Sequence, residues 1–180
     1  MKIKKMVLAA FFAAVTAICS QIAIPTGISA VPFSLSIVGV LLSGAMLTPK
    51  TALCSQIVYL CMGIVGLPVF SQMRGGFSVL AGPTGGYLFV YPLMAFIIAL
   101  LCSKAKKRSF IIMLLSMFPA LACLYTAGSA WLAFVSDISF GAAFSVGALP
   151  FIIPDIIKII LSSFLASLLS KLLGKRHALH

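Results

Sequence analysis

Six apolar stretches, each cut off by proline, glycine or a basic cluster, fill most of this chain and dictate how it can fold. They run at about 7–24, 33–47, 51–67, 87–102, 110–127 and 149–173. Segments of this length and composition match helices that cross a bilayer, which need about 20 predominantly apolar residues each. Boundaries come from Pro25, from Thr48-Pro49-Lys50 and from Pro68, because proline and its predecessor resist helical continuation. Soluble domains carry about 25% charged residues, whereas this chain of 180 residues has 8% and is 62% hydrophobic. A soluble enzyme and a nucleic-acid-binding module are thereby excluded, and six spans leave no room for a separate soluble domain. The fold class is an all-α integral membrane protein, one transmembrane domain over 1–180 with six helices in a single bundle.

The charges fix an orientation. Lys+Arg number 13 against 2 Asp+Glu, and glutamate is absent. With the N-terminus inside, six spans put every basic residue except Arg74 and Lys158 on the cytoplasmic side: Lys2, Lys4 and Lys5, then Lys50, then Lys104, Lys106, Lys107 and Arg108, then Lys171, Lys175 and Arg176. That asymmetry is the positive-inside pattern. Five or seven spans would strand one terminal cluster outside, so both termini are placed in the cytoplasm. The connections at 69–86 and 128–148 then face outward as long glycine-rich loops, of the kind that cover or close on a ligand.

The N-terminal MKIKK and the apolar run after it imitate a secretory signal, with cleavage near Ala17 or a lipid on Cys19 as alternatives. Cleavage would orphan a chain that stays apolar to its far end, so the segment reads as a retained first helix. Cys19, Cys54, Cys61, Cys102 and Cys123 are odd in number and form no CxxC pair. They read as small apolar packing residues rather than zinc ligands or a disulfide framework.

Few residues can carry chemistry. Asp155 and Lys158, in PDIIK, stand three apart and share one face of the sixth helix. An ionised side chain at bilayer depth costs about 2.5–3.5 kcal/mol even on the lenient insertion scale. Either the two neutralise each other, or both face a ligand-filled pocket. Pro154 sets them near the outer start of that helix. GPTGGY at 82–87 opens the fourth helix: Gly85 and Gly86 allow close backbone approach, Thr84 is a possible cap and Tyr87 an aromatic wall. No GxxxxGK[ST] motif exists, so any ATP is used by a partner. His177 and His180 sit in the tail without an acidic neighbour, and no nucleophile with a base, or metal cluster, can be assembled. On the first helix Ala9 with Ala13, and Ala10 with Ala14, make smooth faces for close helix packing, internal or with another subunit.

VPFSLS at 31–36, GLPVF at 66–70, GPTGGY at 82–87 and PDIIK at 154–158, in this order and spacing, resemble the BioY family. Its members are the biotin-binding membrane subunits, or S components, of energy-coupling factor (ECF) transporters. The resemblance implies a multi-pass protein of the prokaryotic cell membrane, without enzymatic activity, that binds biotin at a pocket near the outer face. It implies as partners a transmembrane coupling protein of the EcfT type and two cytoplasmic ATPases, this chain itself binding no cofactor. By motif, Asp155, Lys158, Thr84, Gly85, Gly86 and Tyr87 become pocket residues. Ala9 with Ala13, or Ala10 with Ala14, becomes the AxxxA contact to the coupling protein. Many relatives are more glycine-rich where this chain has Ser-Gln-Met-Arg-Gly-Gly at 71–76, which leaves Arg74 as a carboxylate partner at the pocket mouth or an exposed loop residue. An S component for another vitamin, and a membrane assembly protein in which Asp155 and Lys158 merely pair, are the competing readings.

Overall fold

The computed structural model describes residues 3–25, 31–105 and 109–177, with the backbone alone described over 173–177. Lys2, Lys106, Lys107, Arg108 and His180 lie outside the described residues, as do the side chains of Lys175, Arg176 and His177. The described residues are mostly helical: α1 (Ile3–Gln21), α2 (Ser36–Met46), α3 (Pro49–Ile64), α4 (Phe77–Ala81), α5 (Gly85–Lys104), α6 (Phe110–Ser136), α7 (Phe140–Gly147) and α8 (Ile152–His177). Short 3-10 turns at Ser71–Met73 and Leu149–Phe151 and a two-stranded ribbon complete it.

Helix ends follow local chemistry. Residues preceding a proline are pushed to extended backbone. Ahead of Pro25, α1 stops at Gln21 and Ala23–Ile24 becomes β1, paired antiparallel with β2 (Phe33–Ser34) in the register Ala23↔Ser34 and Ile24↔Phe33. The second helix accordingly begins at Ser36 rather than 33. Pro49 takes the first turn of α3, where its missing N–H costs nothing. That helix closes at Ile64 rather than 67, because Gly66, at φ +101°, lets Leu67 N donate back to Met62 O.

The larger departure is at 128–148, expected as an outer loop. There α6 continues to Ser136 and α7 follows, Ser139 accepting from Ala142 N at its start. Gly128 is kept inside the helix by what it faces: a Cβ there would lie 2.3 Å from the Tyr87 ring. Likewise 69–86 folds as a compact turn followed by α4 rather than an open cover.

Among the described residues, four segments can cross a bilayer by length and composition, namely α1, α5, α6 and Phe140–Leu172. At 11 and 16 residues, α2 and α3 are shorter than the usual span. The core lies where α2 and α5 meet α1, α3, α6 and α8, around Val40, Leu41, Met94, Ile98, Met117 and Ile159. Outward faces remain apolar, with Val7, Phe11, Ile111, Leu115, Ile153 and Phe164 exposed. Such a surface is tolerable in lipid and far exceeds what a soluble monomer leaves in water. All five cysteines are free thiols, with Cys102 buried and Cys61 on the surface.

Candidate functional site

The site is built at one end of the bundle, where α1 and α3 finish and α2, α5 and α8 begin. Pro154 lies in the first turn of α8, so Asp155 and Lys158 project one turn apart just inside the helix start. They are 1% and 4% exposed, and Lys158 Nζ lies 2.8 Å from Asp155 Oδ1. Tyr125, from α6, donates to Asp155 Oδ2 at 2.7 Å. Lys158 Nζ also donates to Ser34 O at 2.7 Å and stands 4.0 Å from the centroid of the Phe33 ring. β2 therefore presents both a carbonyl and a ring face to the buried ammonium. Burying an ion pair is tolerated only when the remaining bonding capacity of both partners is met. Here each carboxylate oxygen holds one donor and the ammonium holds two acceptors.

Two connected cavities open above this pair. The inner one, about 380 Å³ counting the part open to solvent, is lined by Asp155, Lys158, Tyr125, Leu124, Phe151 and Gly147 among others. The outer one, about 680 Å³ counting the part open to solvent, is lined by Phe70, Ser71, Gln72, Arg74, Val79 and Thr84 among others. Val31, Pro32, Ser34, Ser36, Tyr87 and Tyr91 line both. Binding sites for small organic molecules are concave and mostly apolar with a few placed polar groups, and this lining has that make-up. Polar groups stand at both ends, with apolar and aromatic walls between. Tyr91 OH is 2.7 Å from Ser36 Oγ, and the Tyr91 ring stacks on Tyr59 at 6.3 Å, fixing one wall.

The sequence-picked residues separate into two groups. Asp155, Lys158, Tyr87, Thr84 and Arg74 all line the cavities, Arg74 as an exposed residue at the mouth. Thr84 makes no side-chain cap to α5. Gly85 and Gly86 do not line the space; their missing side chains admit neighbours instead. A Cβ at Gly85 would lie 1.7 Å from Leu80 O, and one at Gly86 would lie 2.1 Å from Trp131 Cβ. Trp131 in turn donates to Gly82 O at 3.0 Å, so these glycines let α4 and α6 clamp the turn that carries Thr84 and Tyr87. Tyr87 is a wall with a fixed ring: its hydroxyl donates to Gly147 O at 3.0 Å and lies 3.3 Å from Ser129 Oγ.

Sequence reading missed Tyr125, Ser34, Ser36 and Tyr91. The available signal was that tyrosines within apolar spans must bond their hydroxyls to something when buried. On α1, Ala9 and Ala13 are buried against the protein while Ala10 and Ala14 are exposed.

Fold and cavity together define a helical membrane protein with a polar-ended, aromatic-walled pocket at one end of its bundle. The chain belongs to the BioY family, whose model matches residues 1–175. It is similar to the probable biotin transporter BioY of Pyrococcus horikoshii, 37% identical over 155 residues that cover 86% of this chain and 89% of the relative. It is 41% identical over 150 residues to the biotin transporter BioY of Thermotoga maritima, covering 83% and 85% of the two chains. The crystal structure of the S-component for biotin from an ECF-type ABC transporter shares its fold with a TM-score of 0.87, at 29% identity and covering 94% of this chain and 92% of the other.

Proposed function

We propose that this chain is the biotin-binding membrane subunit of an ECF-type vitamin uptake transporter, acting by binding rather than catalysis. The observation that carries the reading is the buried Asp155–Lys158 pair, with bonding capacity to spare, in the lining of the inner cavity of a member of this family.

Biotin presents a neutral ureido group with two N–H donors and a carbonyl, an apolar bicycle and an anionic carboxylate tail. The inner cavity suits the ureido end. Asp155 retains free lone pairs for the N–H groups, and Lys158 has one N–H left for the carbonyl. The floor as a whole is neutral, so a carboxylate placed there would gain little from it. Arg74, at the opposite end, makes no ion pair among the described residues, which suits it to the tail. Tyr87, Tyr91, Leu88 and Val31 supply apolar walls between them.

Orientation follows from where the charges lie. Lys4 and Lys5 open α1, Lys50 opens α3, Lys104 ends α5 and Lys171 lies late in α8, all remote in their helices from the ends that carry the cavity. The positive-inside rule assigns the lysine end to the cytoplasm. In this reading α1, α2, α3, α5, α6 and α8 are the six spans of a plasma-membrane protein with both termini inside and the pocket toward the outer face. Energy comes from partners, a transmembrane coupling protein and two cytoplasmic ATPases, with Ala10 and Ala14 the outward pair available to the former.

Equilibrium binding of labelled biotin to the purified chain without partners tests the proposal. Binding is expected below micromolar concentration, and D155N is expected to weaken it by about 1–3 kcal/mol through loss of a buried charged acceptor. No binding at micromolar biotin, or a better fit to another member of a vitamin panel, would overturn it.

A further inference from the structure

We infer that Gln21, the last residue of α1, is a positioning residue for the carboxylate end of the pocket, holding the 68–73 backbone and so setting where Arg74 stands. The inference rests on the biotin reading above and names a residue that lines neither cavity.

Both halves of the Gln21 amide reach this turn, Nε2 also standing 3.2 Å from Ala17 O and 3.2 Å from Ser20 Oγ within its own helix. Nε2 donates to Pro68 O at 3.1 Å and reaches Phe70 O at 3.5 Å, while Oε1 accepts from Met73 N at 3.2 Å. The neighbouring Ser20 Oγ lies within hydrogen-bond reach of Val69 O and of Ala17 O in its own helix, its one proton serving either. Four carbonyl or amide groups of the turn are thus tied to the end of a helix some fifty positions away in sequence. The turn needs such support. Gln72 and Met73 adopt left-handed backbone at φ 63° and 57°, which residues other than glycine hold only when their surroundings impose it. Arg74 comes next, its carbonyl accepting from Phe70 N at 2.9 Å, and Gly76 N donates to Gly63 O at 2.7 Å to anchor the far side.

The consequence concerns selectivity rather than general stability. Phe70, Ser71, Gln72 and Arg74 form the mouth. The floor at Asp155 and Lys158 is built by β2, α6 and α8, and none of the hydrogen bonds that hold the pair is made to Gln21. Loosening the turn should therefore blur recognition of the anionic tail and spare recognition of the ring end.

The test compares affinities for biotin and for its neutral methyl ester in the unaltered chain, Q21M, S20A, R74Q and the double variant Q21M/R74Q. Methionine keeps the length of glutamine and removes its bonds. Expected is a preference for biotin in the unaltered chain that falls by roughly tenfold in Q21M, the scale of losing hydrogen bonds that position a charge. Ester affinity should be retained, S20A should move the same way, and Q21M should have no further effect once Arg74 is replaced. Retained ester binding also reports that each variant is folded. A preference kept in both Q21M and S20A, or equal losses for the two ligands in Q21M, would overturn the role of Gln21. Preference lost in R74Q but kept in Q21M would overturn it while leaving the reading of Arg74 standing. An unaltered preference in R74Q would remove the reading of Arg74 and this inference with it.

Discussion

Asp155 has an ammonium on one oxygen and a phenol on the other, and this double engagement governs how each replacement should behave. Removing one member of a buried pair leaves an uncompensated charge and costs about 3–5 kcal/mol, whereas replacing both by apolar or neutral groups is often tolerated. K158A should therefore lower the melting temperature of the detergent-purified protein sharply. D155N/K158M should melt near the unaltered protein yet fail to bind biotin. If the double variant bound normally, the pair would be structural scaffolding alone. Y125F is the finer probe. It removes a single hydrogen bond to a carboxylate, so biotin affinity should fall by about 1.5–3 kcal/mol if Asp155 must be held in place to meet the ureido group. Titration of Y125F with unchanged affinity would show that Lys158 alone orients Asp155. The pair was legible in the sequence because two charges in an apolar helix demand an explanation. Tyr125 was not, since one aromatic in an apolar run looks like any other until its partner, thirty positions away, is known.

At the scale of elements, α1 has two alanine seams with different fates. Ala9 and Ala13 face inward, at 4% and 0% exposure, alongside Phe12 and Thr16. Ala10 and Ala14 lie on the exposed side. Spacing alone could not choose between the seams, because both repeat at four residues; only the packing of α1 on α2 and α3 does. A10L and A14L should keep full biotin binding in isolated protein but lower ATP-driven uptake in cells that hold the partners. A9L and A13L should destabilise the bundle, overpacking a filled seam by about 1–3 kcal/mol. Uptake unaffected by A10L and A14L would place the coupling surface elsewhere. The same distinction between local pattern and tertiary context explains why α6 outran its sequence boundary. Gly128 and Ser129 look like a loop when read alone. In place they receive the Tyr87 ring and lie beside its hydroxyl, so helix continues where composition argues against it. Conversely, the apolar residues 22–24 and 33–35 read as helix, yet Pro25 and the β1–β2 pairing turn most of them into extended chain.

For the molecule as a whole, the imbalance of basic over acidic residues becomes a statement about which side of a membrane the pocket faces. The described lysines other than Lys158 lie in parts of their helices remote from the cavity, and Arg74 stands at its mouth. Each lysine moved to the outer side would oppose the charge bias that sets orientation during insertion, so the arrangement has one favoured direction. Labelling with a membrane-impermeant maleimide reads that direction in intact cells. The five native cysteines form no disulfide, so replacing them with alanine or serine removes no covalent tie. In that background Q72C, exposed at the mouth, should label from outside. K50C, at the start of α3, should label only after the membrane is permeabilised. Biotin adds a second reading to the first: a ligand seated against Arg74 should slow labelling of Q72C and leave K50C untouched. Labelling of K50C in intact cells would reverse the orientation. Q72C that labels from outside at the same rate with and without saturating biotin would keep the orientation but move the ligand away from the 70–74 turn.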